Sequence, residues 1–166
     1  MELLLSRLIS HIKENMTALA TVDEDYGQLE AIDNDNVNMY PITFPCVLID
    51  APKVEWSCIA NNSQKGKALL SVKLIIDCYD DTHYDAGTLD AINKRQDMAA
   101  QLHKILQGYR PLDDGQLLRE ESRFYTYNHG IKVYEAIYNL TLTEAIQETV
   151  TAEPKALKVR LSLLKD

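Results

Sequence analysis

Acidic residues are the first candidates for chemistry in this sequence. Asp77, Asp80 and Asp81 follow an apolar run that predicts a strand, and Glu121 could join them in the fold. Metal-dependent nucleases hold Mg²⁺ with carboxylates at strand ends, so a small metal-dependent enzyme is one hypothesis. The alternative is an ordinary acidic loop before a helix, where negative charge is favourable. We prefer the solvated loop, because clustered acids alone specify little.

Other catalytic patterns are missing from the sequence. The four histidines, His11, His83, His103 and His129, have no obvious Ser or Cys partner. There is no GxxxxGK[ST], GxGxxG or GxSxG motif, and six glycines are few for a phosphate-binding loop. Asp33-x-Asp35 resembles the start of a calcium loop, but the Gly and Glu that should follow are Asn38 and Phe44. We therefore predict no catalytic residue, no metal site and no cofactor.

The three cysteines show neither disulfide nor zinc spacing. Cys46, Cys58 and Cys78 are an odd number, far apart, without a Cys-x2-Cys or His-x3-His pair. Free cysteine is often buried, so we expect three small apolar core residues.

The first 16 residues lack the cationic opening of an export signal and are interrupted by charges, which predicts synthesis in the cytosol.

The tyrosines are the most informative aromatic residues, because four of the nine cluster in one predicted hairpin. Tyrosine buries a large area while keeping a polar tip, which suits both cross-strand packing and protein interfaces. Both interpretations stay open. The interface candidates in this hairpin are Tyr125, Tyr127, Tyr134 and Tyr138.

Composition limits the class of protein. The 166 residues carry a net charge of -8, which argues against a phosphate-binding surface over the whole molecule. No apolar run approaches the roughly 20 residues that cross a bilayer, so we expect no membrane association. We predict one domain over residues 1–150, followed by a C-terminal arm at 151–166.

The periodicity of apolar residues predicts the elements. An amphipathic helix covers the first 16 residues, and residues 21–38 form a long acidic loop. Two hairpins follow, separated by a helix of about 20 residues over 88–106. The strands are predicted at 44–50, 54–58, 67–79, 118–127 and 131–143. The predicted fold is α+β, an antiparallel sheet of two β-hairpins with two main helices packed on one face.

Two segments are predicted to extend beyond the core. The polar turn at 61–66 contributes Asn61, Asn62 and Lys65 as interface candidates. In the C-terminal arm, apolar residues alternate with Lys158 and Arg160, which predicts an amphipathic strand. This arm either pairs with a neighbour's sheet edge or completes its own sheet. Its interface candidates are Leu157, Val159 and Leu161.

The order of these elements resembles that of tail terminator (tail completion) proteins of long-tailed bacteriophages. That family has an N-terminal helix, a strand after a Pro-containing loop, a long hairpin, one long helix and a final hairpin. Ala136-Ile-Tyr-Asn-Leu-Thr-Leu142 is similar to its closing strand. The other matching stretches are 3–9, 40–49, 69–79, 89–106 and 124–142.

The resemblance implies a structural role in the virion and no catalytic residues. Such proteins form a ring, usually a hexamer, that caps the tail tube and joins it to a neck or head-completion protein. It implies assembly in the host cytoplasm, a position at the tail–neck junction, and DNA only as passing cargo. Under this hypothesis Asp33 and Asp35 are lumen candidates, because an acidic lumen repels phosphate. Another neck or tail adaptor of the same fold is the main alternative, and the metal-dependent enzyme is the third.

Overall fold

The structure, a computed structural model, describes residues 2–32, 42–50, 52–60, 62–78 and 87–145. Three α-helices and six strands lie in these ranges. They are α1 (Glu2–Asn15), β1 (Thr21–Glu24), α2 (Gln28–Ala31), β2 (Cys46–Ile49), β3 (Lys53–Ala60), β4 (Ser63–Asp77), α3 (Thr88–Leu106), β5 (Leu118–Tyr127) and β6 (Ile131–Ala145).

All six strands form one mixed sheet, and the predicted α+β fold is confirmed. The order is β1-β2-β4-β6-β5, and β3 pairs with β4 beyond the end of β2. Consecutive strands β3–β4 and β5–β6 are antiparallel pairs, whereas β1 is parallel to β2. The sheet is therefore larger than the two predicted hairpins. It includes β1, a four-residue strand with Val22 as its single buried residue, inside the stretch predicted as a loop.

The sheet has two unequal faces because side chains alternate along β4. On the first face, Leu70, Val72 and Leu74 belong to the main core. Helices α1 and α3 both contribute buried leucines to this core, so the two main helices lie on the same face. On the second face, Ile75 belongs to a smaller core at one end of the sheet, to which α2 contributes Leu29. Burial on both faces explains why β2 is continuously apolar.

Helix α1 packs as its periodicity predicted. Leu5, Leu8 and Ile12 are buried, and Leu4 joins them. His11 lies at the edge of this face, where its ring stacks on Tyr109 at 3.7 Å between centroids and its Nε2 lies 2.9 Å from the Ile105 carbonyl oxygen. These contacts give His11 a packing role.

Helix α3 has the predicted bounds but packs over its C-terminal half alone. Leu102 and Leu106 are buried, whereas Leu89 is 75% and Ile92 41% exposed. The spacing of Leu89, Ile92, Ala99, Leu102 and Leu106 places them on one helical face, and the structure buries that face only at its C-terminal end. Gly108, at φ +79°, follows the helix as predicted, and its N–H donates to the Leu117 carbonyl.

Register corrects two predicted details of the hairpins. The polar turn is shorter than expected, because β4 begins at Ser63 and its polar first residues pair with both β3 and β6. In β5, an irregularity between Arg119 and Glu121 moves Arg119 out of the alternation that Glu121 and Arg123 follow.

No helix in the described ranges is long and apolar enough to span a bilayer.

Candidate functional site

The strand β3 is the most exposed element of the sheet and carries apolar side chains that are open to solvent. Seven of its eight residues are exposed, and only Val54 is partly covered. Trp56 is 42% and Ile59 59% exposed, although both types are usually covered in a monomer. Within the described residues β3 pairs with β4 alone, so its outer edge of N–H and C=O groups is open. An open edge with apolar residues is a template for pairing with another chain.

Trp56 is held flat against the sheet by a glycine on the neighbouring strand. It is paired with Gly66, and a Cβ at Gly66 would lie only 2.9 Å from the indole ring and 2.8 Å from Val54 Cγ1. Glycine at this position lets the ring lie across the backbone of β4. The residue pair makes Trp56 an ordered part of the edge.

The predicted turn residues lie beside this edge. Lys65 is exposed on β4 opposite Ser57, whose hydroxyl donates to the Lys65 carbonyl at 3.1 Å. Asn62 lies in the turn, and Asn61 lies outside the described residues. Lys67, two positions further, donates to Glu120 Oε1 at 2.7 Å across β6. The second face of this part of the sheet is therefore polar and the first face apolar.

The predicted tyrosine surface does not form, because the four residues divide between the two faces. Tyr138 is 1% exposed in the main core, so its prediction as an interface residue is wrong. Tyr134 packs partly against the same core, and its ring stacks on Phe124 at 4.6 Å. Tyr125 and Tyr127 pack against the smaller core on the second face. The structure thus favours cross-strand packing for this cluster.

Tyr138 is anchored by a histidine of α3. Its hydroxyl lies 3.0 Å from Nδ1 of His103. Burial raises the pKa of Tyr138 to about 12, which keeps the hydroxyl protonated. Burial lowers the pKa of His103, and the positive charge of Arg119 lowers it further. The neutral ring can therefore accept a hydrogen bond from the Tyr138 hydroxyl. The pair joins α3 to β6, and we assign it a structural role.

An ionic network crosses the second face between the smaller core and the exposed hairpin. Lys73 on β4 donates to Asp25 Oδ2 at 2.6 Å, and Ser71 donates to Glu135 Oε1 at 2.8 Å. Arg123 on β5 donates to the other oxygen of Glu135. Burial alone would raise the pKa of Glu135, but the hydrogen bonds from Arg123 and Ser71 outweigh it and lower that pKa. The network fixes the alignment of three strands.

The predicted nuclease ligands do not converge. Asp77 is opposite Ile131 and Glu121 is opposite Ile137, six positions apart along β6. That separation is about 20 Å along the strand, far beyond what one ion can bridge. Asp80 and Asp81 lie outside the described residues. Within the described ranges, no group of three His, Cys, Asp or Glu side chains could hold a metal ion.

The remaining predicted residues lie outside the described part of the chain. These are the lumen candidates Asp33 and Asp35, and the arm candidates Leu157, Val159 and Leu161. Of the cysteines, Cys46 and Cys78 are buried as predicted, but Cys58 is exposed on β3. The prediction failed there because an edge strand has no layer covering it.

Sequence reasoning missed that β3 is an uncovered edge. The alternation of Val54, Trp56 and Cys58 with Glu55 and Ser57 predicts a sheet with one solvent-exposed face, and it does not take the apolar Ile59 into account. In the sequence of β3, apolar residues occupy both alternating sets of positions, and charged residues lie among them. This pattern could have indicated an interface.

No protein family model matches the chain, and no curated protein matches its sequence.

Proposed function

We propose that this protein is a structural phage tail assembly protein of the tail terminator type, which associates with copies of itself into a ring. The observation that carries the proposal is the exposed apolar edge of β3, where Trp56 and Ile59 are both open to solvent. Water-exposed apolar edges favour association, so a partner that covers β3 is expected.

A ring is the assembly that the resemblance implies, and the geometry of the sheet is compatible with it. The open edge of β3 lies on the side of the sheet opposite β5, so the surfaces on the two sides differ. A contact between two different surfaces of the same chain is heterologous, and such contacts close into rings when the rotation permits. The β3 edge of one copy and a different surface of the next therefore suit cyclic assembly.

The virion role rests on the resemblance in element order. The order of the described elements supports this resemblance. It runs from a first helix through strand β2, the β3–β4 pair and the long α3 to the β5–β6 pair. Under this proposal the ring caps the tail tube and contacts a neck protein. DNA passes through an opening, and the net charge of -8 disfavours its retention.

Light scattering over a concentration series tests the association. We expect the wild-type mass to rise to a discrete oligomer that is indifferent to EDTA. Trp56→Ser combined with Ile59→Lys should stay closer to the monomer mass at the same concentrations. Leu89→Ser is the control, because it removes an even more exposed apolar residue from α3 and should associate like the wild type.

A monomer at every concentration, or equal association of wild type and the β3 variant, would contradict the assembly surface. The virion role needs a separate experiment, in which the chain is added to polymerising tail tube protein from the same virus. Electron microscopy should then show tubes closed at one end by a ring. Tubes of unchanged length with free ends would contradict the capping role without affecting the association result.

A further inference from the structure

The outer edge of β5 is a further open edge of the described sheet, on the side opposite β3, and it borders a groove. Residues Leu118 to Phe124 are all exposed, and among the described strands β5 pairs with β6 alone. On the first face a groove of about 290 Å³ separates β5 from α3. Phe124, which is 56% exposed, and Tyr134 line it together with Leu102 of the helix. An added strand would cover both the edge and the mouth of the groove.

The second face of β5 is acidic at the same position. Glu120 and Glu121 occupy the irregular part of the strand. Glu120 already accepts hydrogen bonds from Lys67 and Asn139. Arg123, two positions further on this face, is paired with Glu135, and no ion pair to Glu121 forms among the described residues. A strand that fits this edge therefore needs apolar residues toward the first face and a cation toward the second.

Residues 156–164 of the same chain have this pattern. Leu157, Val159 and Leu161 alternate with Lys158 and Arg160. Four cationic residues and one acid lie in 155–166, in a protein of net charge -8. We propose that this segment of the chain adds as a strand to the outer edge of β5, with its leucines over the groove and its cations near Glu121.

The connecting segment is long enough for this placement within one chain. Ala145 ends β6 six positions beyond Asn139, the residue opposite Leu118. The path to the outer edge of β5 is therefore about 20 Å along the strands and about 10 Å across them. Residues 146–155 can span up to about 33 Å. A strand entering at the Leu118 end runs parallel to β5.

Charge distinguishes this edge from the other open edge at β3. There the second face carries Lys53 in an ion pair with Glu55, while Lys65 has no ion-pair partner among the described residues. At β3, Lys158 and Arg160 would meet Lys65. At β5 they would meet Glu121, beside an Arg123 that Glu135 already pairs. The β5 edge is therefore favoured, and β3 stays open for the association proposed above.

Hydrogen–deuterium exchange of the full-length chain tests this placement. Leu161→Asp should speed exchange over 118–127 about tenfold or more, because the edge amides lose their partners. Exchange over 53–60 should be unchanged. Thr149→Asp is the matched control, since it adds the same charge in the connecting segment and should leave both regions protected.

A charge exchange tests the orientation. Glu121→Lys should speed exchange over 118–127, and adding Lys158→Glu and Arg160→Glu should restore protection. Faster exchange over 53–60 in Leu161→Asp, or no change in either region, would overturn the proposal. Protection of 118–127 that disappears on dilution of the wild type would also overturn it, because the strand would then come from another copy. None of these results depends on the virion role.

Discussion

Single side chains on the second face connect strands through hydrogen bonds and ion pairs, in addition to the contacts of the apolar cores. Glu135 is 8% exposed and is the shared acceptor for Arg123 and Ser71. Lys73 and Asp25 form the second pair of this face. Because a buried charge is costly without partners, each of these groups depends on the others.

Glu135→Gln should lower the free energy of unfolding at pH 7 by about 1–2 kcal/mol, because glutamine keeps the size but loses the charge that accepts from Arg123. The pKa of Glu135 is lower in the folded chain than its ordinary value of 4.5. Its contribution is therefore fully present above that pH and is lost as pH falls through the lowered pKa. Denaturant unfolding of both chains at several pH values measures this. Glu144→Gln, at an exposed site, should show no such difference.

Gly115 and Gly66 each let another part of the chain approach the backbone closely. We expect alanine at the two positions to lower the free energy of unfolding by different amounts. A Cβ at Gly115 would overlap the backbone carbonyl of Thr141, which cannot move without disturbing β6. Gly115→Ala should lower the free energy of unfolding by about 2 kcal/mol or more. Gly66→Ala should cost less, because the side chains it meets, Val54 and Trp56, lie on an exposed edge. Equal midpoints in thermal unfolding would contradict this difference.

At the scale of elements, one half of α3 packs on the core and the other half is exposed to solvent. Its last two turns pack on the sheet through Leu102 and Leu106, and its first two turns present Leu89 and Ile92 to solvent. The stability that the helix gains from packing therefore comes from its C-terminal half.

Leu106→Ala should lower the free energy of unfolding by about 2–5 kcal/mol, because Leu106 is fully buried and its removal leaves a cavity. Leu89→Ala should change it by no more than about 0.5 kcal/mol, since that side chain is already exposed. Urea unfolding followed by circular dichroism compares them. A similar loss in both variants would mean that the first turns of α3 are packed in solution.

At the scale of the whole molecule, the open edges determine what the protein does with other chains. The sheet ends in β1 and β3 on one side and in β5 on the other, and β3 and β5 are extensively exposed. Cys58 lies within β3, two residues from Trp56 on the same face, and so reports on coverage of this edge.

One of the three thiols should react rapidly with a thiol reagent in the native chain at pH 8. Cys58 is exposed, whereas burial and then the charge of Asp25 raise the pKa of the inaccessible Cys46 to about 12. If association covers β3, labelling of Cys58 should slow as protein concentration rises. The variant Trp56→Ser, Ile59→Lys should lose this dependence. If the labelling rate of Cys58 stays constant at concentrations where light scattering reports an oligomer, the contact between copies does not involve β3.

The sequence by itself determined the elements with strong periodicity. The leucines of α1, the alternation of β4 and the bounds of α3 followed from spacing, because one face of each element must be buried. The α+β class followed from their order. These features are local, so neighbouring residues in the chain contain the information.

Only the tertiary structure decided which apolar residues are covered. Tyr138 was open to both interpretations, core packing and interface, and α3 lies over it, whereas most of β3 is exposed. The parallel strand β1 and the irregularity at Glu120 also depend on partners distant in sequence. The location of the candidate surface was decided in the same way, because an edge is defined by the strand that does not pair with it.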